Sequence, residues 1–443
     1  MPNENDESGP APLKGGLPLV WRALRHRNFR LFFSGQSISL IGTWMTRIAT
    51  AWLVYRLTGS AWLLGIVGFA GQIPTFLLAP FAGVWVDRLN RRQVLVVTQT
   101  LAMVQSLVLA ALTLSHRVTI AEILWLSIFQ GLINAFDMPG RQAFLVQMVE
   151  DRQDLGNAIA LNSSMVNMAR LVGPSLAGIV IAGFGEGYCF LIDGLSYLAV
   201  ILSLLLMRLP QFVAKPVVVS MIDQLREGWA YVSKFVPIRT ILLLFAMVSL
   251  MGMPFTVLMP IFAAKVLHGG PHTLGFLMGA VGTGALISAI SLAFRKTVLG
   301  LGRVIAISAA VFGVGLIAFG FSKFLWLSLL LMLITGYGMM QGMAASNTII
   351  QTIVPEDKRG RVMSYYTMAF VGMAPFGSLL AGGLAHLVGA PVTMMITGSF
   401  CIAGAIWFTT QLPNIRIHIR PVYRQLGILP PEVVAVIADG GGD

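Results

Sequence analysis

The stretch "GVWVDRLNRRQ", residues 83–93, places a cluster of charge between two long segments that are almost free of charge. The charged residues are Asp87, Arg88, Arg91 and Arg92. The preceding segment is "SAWLLGIVGFAGQIPTFLLAPFA", and the following segment is "VLVVTQTLAMVQSLVLAALTL". Each is long enough to cross the ~30 Å hydrocarbon core of a bilayer as a helix. The stretch is therefore predicted to be a tight loop between two membrane-spanning helices.

The composition of the whole chain also indicates a membrane protein. Its 443 residues are 56% hydrophobic and 11% charged, whereas a soluble protein carries about 25% charged residues. Apolar runs recur along the chain, and in a bilayer they must be helices because the backbone finds no water to bond. Twelve spans are predicted, at 29–56, 61–86, 93–114, 118–140, 157–183, 187–208, 238–265, 272–294, 302–321, 324–349, 361–387 and 390–412.

The distribution of basic residues indicates how these spans are oriented. The net charge of +12 is compatible with nucleic-acid binding when it is considered alone. Most of the 30 Lys and Arg, however, fall on one side of the predicted spans, as the positive-inside rule expects of cytoplasmic loops. We therefore predict a multi-pass protein of the cytoplasmic membrane with both termini in the cytoplasm. It is expected to be a monomer that contacts lipid and does not bind nucleic acid.

The two halves of the chain resemble each other. The segment that begins at Gly156 can be laid over the segment that begins at Gly360 without a gap. Four glycine pairs then coincide at one common offset: Gly156 with Gly360, Gly173 with Gly377, Gly178 with Gly382 and Gly185 with Gly389. A common offset favours duplication of a six-helix unit. Parallel repeats of this kind occur in one large class of transporters.

The predicted organisation of the chain follows from this repeat. The segment 220–235 separates apolar from charged residues at helical spacing, which favours an amphipathic helix that joins the two halves. The predicted parts are a disordered cytoplasmic tail 1–21, an N-terminal bundle 22–208, a cytoplasmic linker 209–237, a C-terminal bundle 238–412 and a cytoplasmic tail 413–443.

Orientation alone does not explain the opening stretch. Its arginines fit a positive-inside anchor, but acidic residues contribute little to orientation, so Asp87 is left unexplained. Gly83 lies one helical turn before Asp87 and permits close helix packing. Asn90 tolerates positive φ, which we expect to help the loop turn.

The pattern Gly83-x-x-x-Asp87-Arg88-x-Asn90-Arg91-Arg92 resembles the signature loop G-x-x-x-D-R-x-G-R-R of the major facilitator superfamily, with Asn90 in place of a glycine. In that family the Asp caps the start of span 11. The Arg four residues later bonds this Asp and an acid near the end of span 4. The resemblance implies a latch, formed by Asp87, Arg91, Asp137 and the start of span 11, that closes the cytoplasmic side. It also implies an all-α fold of twelve transmembrane helices in two pseudo-symmetric six-helix bundles.

Further segments are similar to one branch of this superfamily. They include "NFRLFFSGQSISLIGTWM", "MPGRQAFLVQMV" and "RGRVMS", and the likeness covers roughly residues 22–412. The branch is that of the enterobactin-exporter-like proteins, also called transmembrane secretion effectors.

A second motif lies in span 5. The run Gly173-Pro174-Ser175-Leu176-Ala177-Gly178 resembles the motif G-P-x-x-G-G of facilitator antiporters, with Ala177 in place of one glycine. Proline removes a backbone donor and bends a helix, while small residues let another helix pack closely. A packing kink without substrate contact explains these residues as well. In the family, the motif accompanies export.

Polar side chains recur inside the predicted spans, where they are costly and usually face a cavity. The candidate substrate or coupling residues are Gln36, Thr43, Arg47, Gln130, Asn134, Asn167, Arg170 and Asp193. Hydrogen bonding between helices is the alternative role for the hydroxyl and amide groups. Arg47 and Arg170 are expected to face a cavity or an ion-pair partner. Similar depth predicts a pair between Arg47 and Asp193, with Arg170 as a competing partner.

These features together predict a secondary transporter. No Walker loop is present in the sequence, so ATP is not the expected energy source, and no enzymatic activity, cofactor or metal is predicted. The expected function is export of a small amphiphilic molecule, siderophore-like or drug-like, by alternating access with protons as coupling ion. Asp193 is the first candidate proton carrier and Asp137 the second. The alternatives are an uptake symporter and a non-transporting sensor or scaffold with the same fold.

Overall fold

The computed structural model describes residues 21–209, 221–295 and 297–429, apart from a few side chains within these ranges. Its α-helices are α1 (Arg27–Thr58), α2 (Ala61–Arg88), α3 (Arg91–Leu114), α4 (Ile120–Leu145), α5 (Leu155–Phe184), α6 (Glu186–Leu206), α7 (Met221–Lys234), α8 (Val236–Met251), α9 (Phe255–Ile261), α10 (Pro271–Ala293), α11 (Leu301–Phe321), α12 (Leu325–Ile353), α13 (Glu356–Val371), α14 (Ala374–Val388) and α15 (Ala390–Gln425). Three short turns accompany them: 3₁₀ turns at Arg22–Arg25 and Arg152–Asp154, and a π-helical turn at Phe262–Val266.

The all-α membrane fold predicted from the sequence is confirmed. The described residues contain 11 segments that are long and apolar enough to cross a membrane. In this set, α8, α9 and the π-helical turn form one segment, and α13 with α14 form another. The remaining predicted span is α1, which has 32 residues and packs against α5 and α6. A stripe of polar residues along α1 makes its mean hydropathy lower than that of the 11 apolar segments.

Two of the predicted spans are interrupted helices. One break lies at Pro254, between α8 and α9, and the other lies just before Pro375, between α13 and α14. A proline lacks a backbone donor, so each break lies where the hydrogen bond to the residue four positions earlier is missing. The two interrupted spans pack together, and the hydroxyl of Ser249 in α8 donates a hydrogen bond to the carbonyl oxygen of Phe370 in α13.

The last helix continues beyond the predicted end of span 12 at residue 412. Pro413 directly follows the predicted end, yet α15 runs through it to Gln425. Ile415, Ile419 and Tyr423 recur at a spacing of four and are buried. Their packing against the core stabilises the helical conformation despite the bond lost at the proline.

The glycines that define the sequence repeat occupy matching environments in the two halves. Gly185 joins α5 to α6 with φ of +92°, and Gly389 joins α14 to α15 with φ of +84°. Only glycine adopts such φ values without strain. Gly156 and Gly360 lie at the other ends of α5 and of the α13–α14 span, and neither has an atom within 4 Å of the position that a Cβ would take. The predicted duplication is therefore visible as pseudo-symmetry of the fold.

Two helix pairs join the halves: α5 packs on α10, and α2 packs on α14. In both pairs glycine faces glycine. A Cβ added at Gly178 would lie 3.0 Å from the Cα of Gly275, and a Cβ added at Gly382 would lie 2.7 Å from the Cα of Gly65. The helices therefore meet backbone to backbone, an approach that larger residues would prevent.

The predicted amphipathic helix between the halves is present as α7. It is tied to α13 by an ion pair of 2.6 Å between Glu227 and Arg361. The ring of Trp229 lies 5.9 Å from the ring of Tyr365 in α13. The rest of the predicted linker, at 210–220, and most of both predicted tails lie outside the described residues.

Candidate functional site

The two halves make close glycine contacts toward one end of the space between them. We call the end at which α7 lies the linker end. The contacts between Gly178 and Gly275 and between Gly65 and Gly382 lie toward the opposite end of their helices. At the linker end, Gly83 of α2, like Gly156 and Gly360, has no atom within 4 Å of its Cβ position. Among the described residues, the close glycine contacts between the halves therefore lie at the end opposite α7, and we infer that the space between the halves is a cavity that opens toward the linker end.

Two arginines lie along this cavity, in the middle parts of α1 and α5. Cζ of Arg47 is 4.8 Å from the centre of the Trp44 ring, and Cζ of Arg170 is 5.3 Å from the same centre. Both distances lie within the range of cation–π attraction. Neither guanidinium forms an ion pair or a hydrogen bond with any described residue, and the buried Nε of Arg170 has no hydrogen-bond partner. Trp44 was missed by the sequence analysis, although its spacing of three from Arg47 places both on one helix face.

The acidic side chains that the structure describes in the N-terminal spans are engaged elsewhere. Glu186 pairs with Arg56, Asp137 pairs with Arg141, and Asp193 accepts hydrogen bonds from Thr46 and Ser106. The C-terminal half supplies no counter-charge, because the sequence contains no Asp or Glu from 228 to 355 or from 358 to 431. The arginine pair is therefore a site of uncompensated positive charge.

The predicted pair between Arg47 and Asp193 is wrong for this conformation. Oδ2 of Asp193 accepts a hydrogen bond of 2.9 Å from Thr46 and one of 3.0 Å from Ser106. Its buried Oδ1 has no hydrogen-bond partner among the described residues. Similar depth was a poor guide because Thr46 and Arg47 are about 100° apart around α1. Thr46 faces α6, and Arg47 faces the cavity.

The predicted bond between Arg91 and Asp137 is not formed among the described residues. Asp137 is buried, and it pairs with Arg141 instead of Arg91. It also accepts hydrogen bonds of 3.1 Å from Thr98 and 2.7 Å from Gln99. The pair between Arg141 and Asp137 is favoured because the two residues lie one turn apart on α4.

The other predicted members of the latch lie around the loop between α2 and α3. Arg91 donates to the carbonyl oxygen of Ala143 in α4 at 3.3 Å, so it reaches the helix of Asp137 without bonding its carboxylate. Arg92 donates to the carbonyl oxygen of Leu205 at 2.6 Å, and Arg88 is exposed. The side chain of Asp87 lies outside the described residues, so its predicted contact with span 11 stays a prediction.

Asn90 has a different role from the one expected. Its φ is −65°, so the loop does not use positive φ at this position. Its side-chain oxygen instead accepts hydrogen bonds from the backbone N–H groups of Arg92 and Gln93, at 3.1 and 3.4 Å. Asn90 is therefore the N-cap of α3, a position at which asparagine is strongly preferred.

The remaining polar candidates make mostly local hydrogen bonds. Gln36 is buried, and its Oε1 has no hydrogen-bond partner among the described residues. Thr43 donates to the carbonyl oxygen of Ser39 at 3.0 Å, and its hydroxyl lies 3.4 Å from the hydroxyl of Tyr197. These contacts fit the alternative in which polar groups of α1 bond within the bundle.

The amide candidates of α4 and α5 also bond within their own helices. Gln130 donates to Asn134 at 3.3 Å, and Asn167 donates to the carbonyl oxygen of Ser163 at 3.0 Å. Both donor residues remain partly exposed. They can therefore contribute further hydrogen bonds to a molecule in the cavity.

The span-5 motif forms two close contacts on opposite sides of α5. A Cβ at Gly173 would lie 2.5 Å from the Cβ of Trp44, so this glycine seats α5 against α1. Gly178 seats α5 against α10, in the other half of the chain. Ala177 is fully buried, and Pro174 lies inside the helix. The sequence analysis missed the partners Gly65 and Gly275, whose signal was the recurrence of glycine at spacings of three and four in α2 and α10.

A buried ion cluster at the linker end was also missed. The carboxylate of Asp154, just before α5, forms ion pairs with Arg22 at 2.9 Å and with Arg25 at 2.7 Å. Its Oδ2 also shares a hydrogen bond of 2.9 Å with Nε2 of His26. The hydrogen bond from His26 and the charges of the two arginines hold the pKa of Asp154 below its ordinary value. The cluster fixes the segment before α1 to the start of α5. No local pattern in the sequence pairs these basic residues with an acid so distant along the chain.

An all-helical bundle of two repeat-related halves around a polar cavity has the architecture of a facilitator-type membrane transporter. The chain belongs to the transmembrane secretion effector family, whose profile matches residues 19–436. The likeness found in the sequence is thereby confirmed. This family and this fold are those of membrane transporters.

Similar proteins of named function are bacterial transporters. The Staphyloferrin A transporter of Staphylococcus aureus is 26% identical over 88% of this chain and 98% of its own length. The multidrug efflux pump Tap of Mycolicibacterium fortuitum is 26% identical over 80% of this chain and 88% of its own. Macrolide efflux protein A of Streptococcus pyogenes is 21% identical over 86% of this chain and 96% of its own length.

Similar solved structures share the fold at low sequence identity. A nucleoside transporter superposes with a TM-score of 0.68 at 14% identity, covering 89% of this chain and 100% of that chain. A POT family transporter in complex with 5-aminolevulinic acid superposes with a TM-score of 0.70 at 13% identity, covering 88% of this chain and 96% of that chain. These likenesses establish the fold and carry no information about the substrate of this chain.

Proposed function

We propose that the protein exports a small amphiphilic molecule across the cytoplasmic membrane by alternating access. The observation that carries the proposal is the arrangement of the cavity. It is closed at one end by the glycine contacts between α5 and α10 and between α2 and α14, and it is open at the linker end. A cavity with one open end, enclosed by two repeat-related bundles, is suited to rocking of one bundle against the other.

The direction of transport is proposed from orientation and from relatives. The positive-inside pattern supports a cytoplasmic position for the linker end and both termini. In that orientation, the conformation described here would receive a molecule from inside the cell. Two of the similar proteins are named as efflux proteins, the Tap pump and the macrolide efflux protein. The span-5 motif, which accompanies export in the superfamily, adds to this support.

Protons are the proposed coupling ion, and Asp193 is the proposed carrier. Its carboxyl group is buried and is bonded by two hydroxyl groups without a neighbouring cation. Protonation of such a group removes a buried charge and breaks no ion pair. Asp137 is the weaker candidate, because its charge is paired with Arg141.

A comparison of cells with and without the gene tests this function. A panel of fluorescent drugs and radiolabelled siderophores is loaded, and retention is followed with and without a protonophore. Cells that express the protein are expected to retain less of at least one compound, and the protonophore should abolish the difference. Higher accumulation in the expressing cells would favour the uptake symporter. A difference that survives the protonophore would contradict proton coupling, and transport of no compound would favour a sensor or scaffold.

A further inference from the structure

We propose that Arg47 and Arg170 together bind an acidic oxyanion group of the transported molecule, so that the substrate is an anionic amphiphile. This inference rests on the proposed function, because it assigns a substrate class to the same cavity. Its structural basis is a pair of guanidinium groups on one aromatic ring, without a protein counter-ion among the described residues.

The geometry offers donors to an external acceptor. A guanidinium carries five N–H donors and binds carboxylate or phosphate oxygens in a bidentate manner. Nε of Arg170 is buried, and no described residue accepts from it. The side chain of Arg47 is exposed within the membrane-spanning part of α1. Because the other ionised groups of these spans make specific pairs, unused donors at two arginines are unusual.

The charge of the two arginines also favours an anionic ligand. Two cations in the middle of a membrane protein are costly unless an anion or water accompanies them. The nearest acids on the helices that carry or face the pair are satisfied by Arg141, Thr46 and Ser106. The opposite half has no acidic residue in its spans before the start of α13. An anionic group of a bound molecule would supply the missing negative charge.

The position of the pair suits a transported ligand. Trp44 packs against Gly173 of α5, and a Cβ at Gly282 of α10 would lie 3.0 Å from the carbonyl oxygen of Arg170. The arginines therefore lie where both bundles meet. An oxyanion bound there would have apolar C-terminal spans on its other side, which matches the apolar part of an amphiphile.

Direct binding to the purified full-length protein tests this inference. The protein is reconstituted in nanodiscs of neutral phosphatidylcholine, and binding is measured by calorimetry with 2-naphthoate and with its uncharged analogue 2-naphthamide. The variants are Arg47→Gln, Arg170→Gln and Arg170→Lys. The matched control is Arg303→Gln, since Arg303 is an exposed arginine of α11 outside the cavity and without a partner among the described residues.

The expected result is binding of naphthoate and not of naphthamide. Each Gln variant should weaken naphthoate binding at least about tenfold, the loss expected when a charged hydrogen bond is removed. Arg170→Lys should retain part of the affinity, and Arg303→Gln all of it. Because the arginines have no ion-pair or hydrogen-bond partner among the described residues and lose only their contact with the Trp44 ring, the Gln variants should unfold close to the temperature of the wild type. A large drop in unfolding temperature in the absence of ligand would indicate a structural role and overturn the assignment.

Three other outcomes would also overturn it: equal binding of acid and amide, undiminished binding by the Gln variants, or no binding of naphthoate at millimolar concentration. Loss of naphthoate binding when phosphatidylglycerol replaces part of the lipid would assign the site to a lipid headgroup and contradict a transported ligand. Binding on the purified protein does not depend on transport. Specific binding combined with an absence of export in cells would therefore reject the proposed function and leave the anion site standing.

Discussion

Gly178 of α5 lies against Gly275 of α10, where a Cβ on Gly178 would stand 3.0 Å from the Cα of Gly275. The repeat-related contact between Gly382 and Gly65 joins α14 to α2 in the same way. The two contacts close the end of the cavity opposite the linker. Phe376 of α14 also packs on Phe69 and Phe76 of α2, and Gln72 donates a hydrogen bond to Ser378 at 3.4 Å. No ion pair joins these helices among the described residues, so the halves can separate there without breaking a strong polar interaction.

A larger residue at Gly178 is expected to prevent this closure. In the Gly178→Val variant, the added Cβ would meet the carbonyl oxygen of Pro271 at 2.8 Å, and overpacking of this kind costs about 1–3 kcal/mol. We expect a lower unfolding temperature and loss of transport. Gly183→Val is the matched control, because Gly183 lies on the same helix with no atom within 4 Å of its Cβ position. Equal transport by the two variants would contradict the role of the contact.

Replacement of Asp193 by asparagine tests the proposed proton carrier. Asn keeps the size of the side chain and an oxygen that accepts from Thr46 and Ser106, so the Asp193→Asn protein should fold. Transport driven by a pH gradient in proteoliposomes is expected to fall to the rate measured with a protonophore. Asp137→Asn is the comparison, because it removes the partner of Arg141 and should reduce stability as well. A gradient-dependent rate that survives in Asp193→Asn would exclude Asp193 as the carrier.

The cluster around Asp154 predicts a pH dependence of stability with a defined sign. Its pKa is held below the ordinary value of about 3.9, so its contribution is complete above that pH and is lost as the pH falls through the lowered pKa. Asp154→Asn should therefore unfold at a lower temperature than the wild type at pH 7. The difference should persist to about pH 4 and shrink below it. Thermal unfolding of the solubilised protein across this range measures the effect.

Asp151→Asn provides the control for this cluster, since Asp151 is more exposed and lies 3.4 Å from Arg25. We expect little change in its unfolding temperature, because exposed ion pairs contribute little. A constant difference between Asp154→Asn and the wild type down to pH 3 would show that the charge of Asp154 is not what stabilises the segment.

Asp87 remains the residue on which the predicted latch depends. Asp87→Asn is expected to leave the unfolding temperature largely unchanged and to lower the rate of transport, because the closed cytoplasmic gate loses a capping carboxylate. Arg88→Gln, at an exposed arginine of the same loop, should affect orientation or insertion more than rate. If Asp87→Asn transports at the wild-type rate, the loop is an anchor and nothing more.

The sequence was sufficient for the helices and the repeat, because each follows from residue type and spacing, but it identified only one glycine of each close contact between the halves. Long apolar runs specify spans, and a common glycine offset specifies the duplication. It was insufficient where a contact depends on rotation about a helix axis. Asp193 accepts a hydrogen bond from Thr46 instead of pairing with Arg47. Asp137 likewise pairs with Arg141 instead of Arg91. The depth of a residue in the membrane follows from its position along a span. The direction in which its side chain points depends on how the helix is rotated about its axis, and packing sets that rotation.

Two further features were hidden for different reasons. Asn90 was interpreted through its tolerance of positive φ, although N-capping is an equally strong preference of asparagine, and only the backbone angles distinguish the two roles. Asp154 and its basic partners are brought together by the fold across more than a hundred residues. No local pattern marks such a pair.

Distances between the two halves test the central claim of alternating access most directly. The two native cysteines, Cys189 and Cys401, are buried, so spin labels can be placed on introduced cysteines. One pair, Gly156→Cys with Gly360→Cys, reports on the linker end, and the other, Gly183→Cys with Leu387→Cys, reports on the opposite end. All four positions are exposed.

In proteoliposomes, a transported compound together with a proton gradient should shorten the distance at the linker end and lengthen the distance at the opposite end. Opposite changes in the two pairs are the result that rocking of two bundles requires. Distances that stay constant at both ends under conditions of measured transport, or that change in the same direction, would contradict the account.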